Sequence, residues 1–333
     1  MKKTLIASAV AAATFSGAAL AQESNLPTVY GNIQLNTVYT DLDGAGSSFS
    51  GLQDNGTTLG VKHSHEIAPG VEGFFKMELE GIAADDKAHS GGGSGADHNG
   101  ITKLDEAYIG VKGDSFGQIW VGSDDSTFES AIDEIANYYE YGGQNLGGGY
   151  DTGEGNLIQY KTPSFSGLTL GGAVQVNGDS DTGGKSYPYQ LAATYEMSGL
   201  ELAVAMDSND GGRAYSSNSA SFNNENTYGA RASYSMDNLR VTGLVKTRKD
   251  VADVYGLLGS YSMGANTFAA SWEHLSPDSD VDDSDVFSVQ ALHNLSDHMY
   301  VYVEGYLGQY PDNTFGPDAS DQTDLAIGGT YYF

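Results

Sequence analysis

The chain has 333 residues, with 15 basic and 44 acidic side chains, a formal net charge of −29, 45 glycines, 7 prolines and no cysteine. Such a field repels nucleic-acid phosphates, and the missing thiols exclude a disulfide framework or a cysteine metal site. The 22 tyrosines and the patterned apolar residues argue against the disorder that high charge alone would suggest.

The first residues read as an export leader. Met1, Lys2 and Lys3 make a basic start, residues 5–20 carry no charge, and Ala19-Leu20-Ala21 has the small-x-small spacing of a signal peptidase site. Residues 1–21 are therefore expected to be removed, leaving residues 22–333 as one domain. Loss of Lys2 and Lys3 makes the remainder more negative still. No later stretch approaches the roughly 18–20 apolar residues of a spanning helix. The exported chain is thus expected to be soluble or a β-barrel.

From residue 28 onward, segments of about ten residues alternate apolar and polar, joined in turn by very short and longer polar links, as in a membrane barrel. Residues 28–40 set Val29, Ile33 and Leu35 against Tyr30, Asn32, Gln34 and Asn36. A loop over 41–55 leads to strands over 57–67 and 71–82 about the tight turn Ala68-Pro69-Gly70. In the second of these, Phe75, Met77 and Leu79 share one face and Lys76, Glu78 and Glu80 the other. The glycine-rich loop over 83–102 lacks the lysine of a phosphate-binding loop. Strands over 103–113 and up to Ser123 flank a turn at 114–117.

The third loop, 124–153, departs from this rhythm. Residues 126–139 are predicted helical: Ser126 or Thr127 can cap them, and Phe128, Ile132 and Ile135 recur at helical spacing. Glu129, Asp133 and Glu134 fall on the polar side. Further strand pairs are expected around residues 163–167, 197–199, 236–238, 263–265 and 295–297. Longer loops are expected over 177–186, 207–226, 275–284 and 309–323, with a last strand over 324–333. The total of about sixteen strands is even, which puts both termini at one end.

In lipid no backbone N–H or C=O can be left unpaired, so a spanning sheet must close on itself. A barrel of about sixteen strands is too wide for side chains to fill and encloses water. Half of its strand residues can then be hydrophilic. Tyr160, Phe165, Tyr195, Tyr234, Tyr261 and Tyr331 fall near strand ends, where interfacial aromatics belong.

Leu325, Ile327, Gly329, Tyr331 and Phe333 alternate up to a terminal aromatic. This ending resembles the last strand that outer-membrane barrels present to their assembly machinery, which makes Tyr331 and Phe333 the expected assembly signal. Val29-Tyr30-Gly31, Leu59-Gly60-Val61-Lys62, Ala107-Tyr108-Ile109-Gly110 and Gln159-Tyr160-Lys161-Thr162-Pro163 look like strands of the Gram-negative general diffusion porins. Glu140-Tyr141-Gly142-Gly143 resembles the tip of that family's inward-folded third loop. The resemblance covers essentially all of the mature chain.

The resemblance implies an all-β, transmembrane antiparallel barrel of sixteen strands in the outer membrane, and no enzyme activity. It further implies a homotrimer among lipopolysaccharide and outer-membrane lipid, with a water-filled channel for passive diffusion of small hydrophilic solutes and ions. Acids on the third loop would face basic residues on the opposite wall, and the balance of that field would set ion preference. Glu140 carries over from the motif. Asp133 and Glu134 are nearby candidates, followed by Asp124, Asp125 and Glu129. Alternation would put Lys62, Lys76, Lys161, Arg231 and Lys246 inward on the wall. Where the enteric pattern has wall arginines, this chain has Thr58 and the acid pair Asp105-Glu106, so a cation preference is expected.

Other chemistry is poorly supported, and no cofactor is expected. His63 and His65 share a strand face but are too few for a metal site. Asp278, Asp280 and Asp282 begin like a calcium loop, yet Asp283 and Val289 stand where its Gly and Glu belong. The acidic loops are expected at most to hold divalent cations loosely. Trp120 and Trp272, on distant strands, give no aromatic track of a sugar-specific channel. A surface adhesin or receptor barrel with little transport role is the alternative reading.

Overall fold

A computed structural model describes residues 26–85, 103–146, 154–176, 187–209, 225–315 and 319–333. The expected leader over 1–21 and the loop expected over 177–186 lie outside the described residues, as do most of the loops expected over 83–102 and 207–226.

The strands in chain order are β1 (Thr28–Leu42), β2 (Gly46–Phe49), β3 (Gln53–Asp54), β4 (Thr58–Ala68), β5 (Val71–Glu80), β6 (Lys103–Gly113), β7 (Gly117–Ser123), β8 (Leu157–Lys161) and β9 (Leu168–Gln175). They continue with β10 (Tyr189–Met197), β11 (Leu200–Asp207), β12 (Thr227–Met236), β13 (Leu239–Arg248), β14 (Ala252–Met263), β15 (Asn266–Pro277), β16 (Ser284–Ser296), β17 (Met299–Gln309) and β18 (Asp321–Tyr332). Sixteen of them form a closed antiparallel barrel. β18 closes on β1 from Asn32↔Tyr332 to Leu42↔Gln322. β4 pairs only with Thr28–Asn32 of β1, and the short β2 and β3 of the first loop pair with the rest of that edge. The first loop thus finishes a ladder that would otherwise stand open.

Burial is inverted relative to a soluble protein. Side chains such as Leu191, Val204, Leu257, Val289, Leu307 and Ile327 are exposed on the outer face, while Gln190, Thr242 and Ser288 are buried inside. This is the alternation that lipid outside and water inside require. The hairpins at the end holding both termini are short. One of them puts Asp237 at φ 49°, the left-handed conformation that suits a tight antiparallel turn. Tyr160, Phe165, Tyr234, Tyr261 and Tyr331 are exposed towards this end, and Tyr195 is half-buried. Phe333 exchanges both backbone hydrogen bonds with Gly31, at 3.1 and 3.0 Å, so the terminal residue seals the first strand.

Several details depart from the expected strands: β2 and β3 form within the loop expected over 41–55, and β18 begins at Asp321. β15 runs on to Pro277, which shortens the loop expected over 275–284. In β6, Glu106 pairs with Glu78 and Leu104 with Leu79, which leaves Asp105 as a bulge between them.

Candidate functional site

The third loop leaves β7 and turns into the barrel. Ser126 caps α1 (Thr127–Ile132), its Oγ accepting from the Glu129 N–H at 3.2 Å. The helix is much shorter than the predicted span of 126–139. It stops at Asp133 (φ −84°, ψ 39°), and isolated turns carry the chain to Tyr138. The cause is tertiary. Phe128 and Ile132 pack with Ala203 and Ala205 of β11, whereas Ile135 and Tyr139 pack with Leu244, Leu258, Ala269 and Tyr306 on β13 to β17. A straight helix cannot follow that curving wall, so the loop unwinds along it.

Two bare glycines give the wall its notches. A Cβ on Gly229 would lie 2.8 Å from Ile132 and 2.9 Å from Phe128, and one on Gly256 would lie 2.7 Å from Ile135. Phe128, Ile132 and Ile135 are fully buried as a result. Burial of side chains of this size stabilises by about 1.5–3 kcal/mol each.

The loop's acids are also tied to this near wall. Asp133 accepts from Lys246 Nζ at 2.8 Å, with both side chains almost wholly buried. Glu134 accepts from Arg240 at 2.6 and 2.7 Å, from Thr242 at 2.8 Å, and from Arg231. Arg231 also donates to the Ala131 carbonyl at 2.8 Å and pairs with Glu201. Burial alone would raise the Glu134 pKa, but the hydrogen bond and charge of Arg240, with Arg231 and Thr242, lower it to about 2. Glu129 is buried and accepts from Asn137 at 3.3 Å.

The loop tip rests on β17. Glu304, buried, accepts from the Glu140 N–H at 2.6 Å, the Tyr141 N–H at 2.9 Å, Gln290 at 2.8 Å and the Tyr306 hydroxyl at 2.6 Å. The Glu140 carboxylate accepts from Tyr300 at 2.8 Å. Asn55, from the first loop, donates to the Glu140 carbonyl and the Tyr302 hydroxyl, both at 3.0 Å.

This arrangement corrects the expected one. Asp133 and Glu134 do not look across the lumen at a basic wall; their cations come from the wall they lie on. Lys246 and Arg231, expected as open pore-wall charges, are buried beneath the loop. The reason is the length of the lysine and arginine side chains against a loop already drawn to β11–β17 by its apolar residues.

The facing wall is β1 and β4 to β8. There Tyr30 donates to Glu78 Oε2 at 2.5 Å, Lys76 Nζ lies 3.5 Å from Glu78 and pairs with Glu106, and Lys62 sits 4.8 Å over the Tyr30 ring. Glu106 lines the lumen, and Asp105 sits beside it at the bulge. Thr58 is buried on the lumen face beside Asn32, whose side chain accepts from its N–H at 3.1 Å. Between this wall and α1 lies a cavity of about 330 Å³ lined by Lys76, Glu106, Trp120, Asp124, Asp125 and Lys161, among others. Asp124 accepts from Trp120 Nε1 at 2.6 Å and Gln159 at 3.3 Å. Burial and the Glu106 charge push its pKa up to about 6, against the Trp120 hydrogen bond. Burial, then Glu106, Glu129, Asp124 and Glu154, push Asp125 up to about 8.

Sequence reasoning missed Arg240, Glu201, Glu304 and the tyrosines at 300, 302 and 306. The signal was present: Tyr300, Tyr302, Glu304 and Tyr306 recur at a period of two on β17. The aromatic pad that β17 turns to the lumen is thus built from tyrosines and not from tryptophans. Trp272 instead lies outside the lumen, donating to Asp285 at 2.8 Å and stacking on His274. The His63 and His65 rings stack at 5.4 Å, and no group of three potential metal ligands occurs among the described residues.

The family model for the Gram-negative porin matches residues 7–314. Across all of this chain and all of each relative, the sequence is 26% identical to a "Monosaccharide porin" of Halomonas sp and to the "Major outer membrane protein" of Halomonas elongata. Among solved structures, Salmonella typhi OmpF in complex with daunomycin superposes with a TM-score of 0.70 at 17% identity, over 93% of this chain and 98% of that one. The anion-selective porin from Comamonas acidovorans does so with a TM-score of 0.67 at 17% identity, over 92% and 99%. The protein therefore belongs to the Gram-negative porins, a family of outer-membrane channels and not of enzymes.

Proposed function

We propose that this porin passes small hydrophilic solutes of monosaccharide size by passive diffusion and prefers cations to anions. The observation that carries the reading is the third loop, pinned to one wall by buried apolar groups and ion pairs, so that the passage narrows to a fixed polar gap against the other. The facing wall and the loop base put Glu78, Glu106, Asp124 and Asp125 against Lys76 and Lys161, an acidic balance in a chain of net charge −29. The solute class is supported by the name of the Halomonas relative. The structural neighbour named anion-selective shares the fold at 17% identity, so ion preference follows the charges of each chain and not the barrel.

We further propose removal of residues 1–21 on export, recognition of Tyr331 and Phe333 by the assembly machinery, a homotrimer among lipopolysaccharide, and loose divalent-cation binding by exposed acids such as Asp278, Asp280 and Asp282. Liposome swelling tests the main reading together with the zero-current potential in a potassium chloride gradient. Faster swelling with monosaccharides than with disaccharides, and a potential of the sign set by potassium, are expected. No swelling contradicts the diffusion reading, and the opposite sign contradicts the cation preference.

A further inference from the structure

The acids of this lumen fall into two groups with different surroundings. On the loop, Asp133 has Lys246 and Glu134 has two arginines, so both carboxylates are matched by cations on the wall behind them. Glu140 is buried against Tyr300.

On the facing wall the balance is reversed. Lys76 is shared between Glu78 and Glu106, which pair directly across β5 and β6. Two carboxylates thus contend for one ammonium group. Glu78 is completely buried, and its Oε1 has no hydrogen-bond partner among the described residues. A buried polar oxygen left so is costly. Glu106, with Asp124 and Asp125 beside it, lines the cavity between this wall and α1. The raised pKa values of Asp124 and Asp125, with Glu106 the leading charge behind both, report the same uncompensated negative field from a separate strand end.

We propose that the ionic preference of this channel is set on the barrel wall, by Glu78 and Glu106 on either side of Lys76, and not by Asp133, Glu134 and Glu140 of the third loop. The inference rests on the reading of the chain as an ion-passing porin and names the part of it that discriminates. Lys76 is a specificity-determining residue in this arrangement: it holds the two carboxylates apart and reduces their charge to a net of one.

The test uses the mature protein, refolded and checked by its heat-sensitive mobility on gels. The potassium-to-chloride permeability ratio is read from the zero-current potential for wild type, Glu106→Gln, Glu78→Gln, Lys76→Gln and Glu140→Gln. One unit charge about 4 Å from the ion path, screened by salt, should change the ratio by roughly two- to fivefold. Glu106→Gln is expected to lower the ratio by that factor and Lys76→Gln to raise it, with a smaller shift for Glu140→Gln. A Glu140→Gln shift equal to or larger than that of Glu106→Gln overturns the proposal. If Glu106→Gln and Glu78→Gln fail to fold, Lys76→Gln decides: an unchanged ratio overturns it. A wild-type channel that prefers chloride would overturn the cation reading alone, because the order of the shifts still reports where the preference is set.

Discussion

Lys246→Met isolates what holds the third loop in the lumen. The Lys246 side chain is 2% exposed, the Asp133 side chain 0%, and their contact is 2.8 Å. Removing the ammonium group leaves the Asp133 carboxylate buried without its lysine, which typically costs about 3–5 kcal/mol. The apolar anchor formed by Phe128, Ile132 and Ile135 contributes a comparable amount, on the order of 5–9 kcal/mol at about 1.5–3 kcal/mol for each buried side chain. Losing the lysine thus removes a large fraction of the anchoring without touching any strand pairing. The barrel is expected to keep its heat-sensitive mobility on gels while single-channel records become noisier and close at lower voltage. Lys246→Met combined with Asp133→Leu should restore quiet currents, because a buried ion pair can be replaced by packed apolar groups at little or no cost. Quiet, wild-type currents from the single variant would refute the reasoning, since the pair would then not be holding the loop.

Three further outcomes follow from the same geometry. Gly256→Val puts methyl groups where a Cβ alone already lies 2.7 Å from Ile135, so the loop should be displaced at a cost of about 1–3 kcal/mol, read as an altered unit conductance. Asp124 and Asp125 gain charge as pH rises through about 6 and about 8, so the potassium-to-chloride ratio should climb between those values. The folded state holds both protons more tightly than the unfolded chain does, so the stability they contribute falls as pH rises from their unfolded value of 3.8 to about 6 for Asp124 and about 8 for Asp125. Glu134 has the opposite sign: its stabilisation is fully present above its unfolded value of 4.5 and is lost as pH falls through about 2, so the loop clamp should survive in acid recordings near pH 4.

Most of the barrel was legible in the chain because a strand's alternation is local. Phe75, Met77 and Leu79 against Lys76, Glu78 and Glu80 need no partner to reveal a two-sided strand, and the short turns mark its ends. The radial contacts were not legible. That α1 stops at Asp133, that Asp133 meets Lys246 and that Glu134 meets Arg240 all depend on which wall the loop lies against, and the loop's own periodicity is silent on that. The bulge at Asp105 is a matter of register, and that one extra residue brings Glu106 opposite Glu78. Loop one posed the same difficulty: β2 and β3 are too short to carry a pattern and are formed by the exposed edge of β1. The tyrosine pad on β17 was visible as a pattern, but its purpose, to carry Glu140 and Tyr141, appears only when the loop is in place.

The most direct test of the account is the single-channel current of purified, refolded protein in a planar bilayer. Open channels that close in three equal steps are the predicted result, as expected of a trimer with one water-filled passage in each barrel. A well-folded barrel that inserts and carries no current would contradict it, since the loop would then plug the lumen instead of narrowing it.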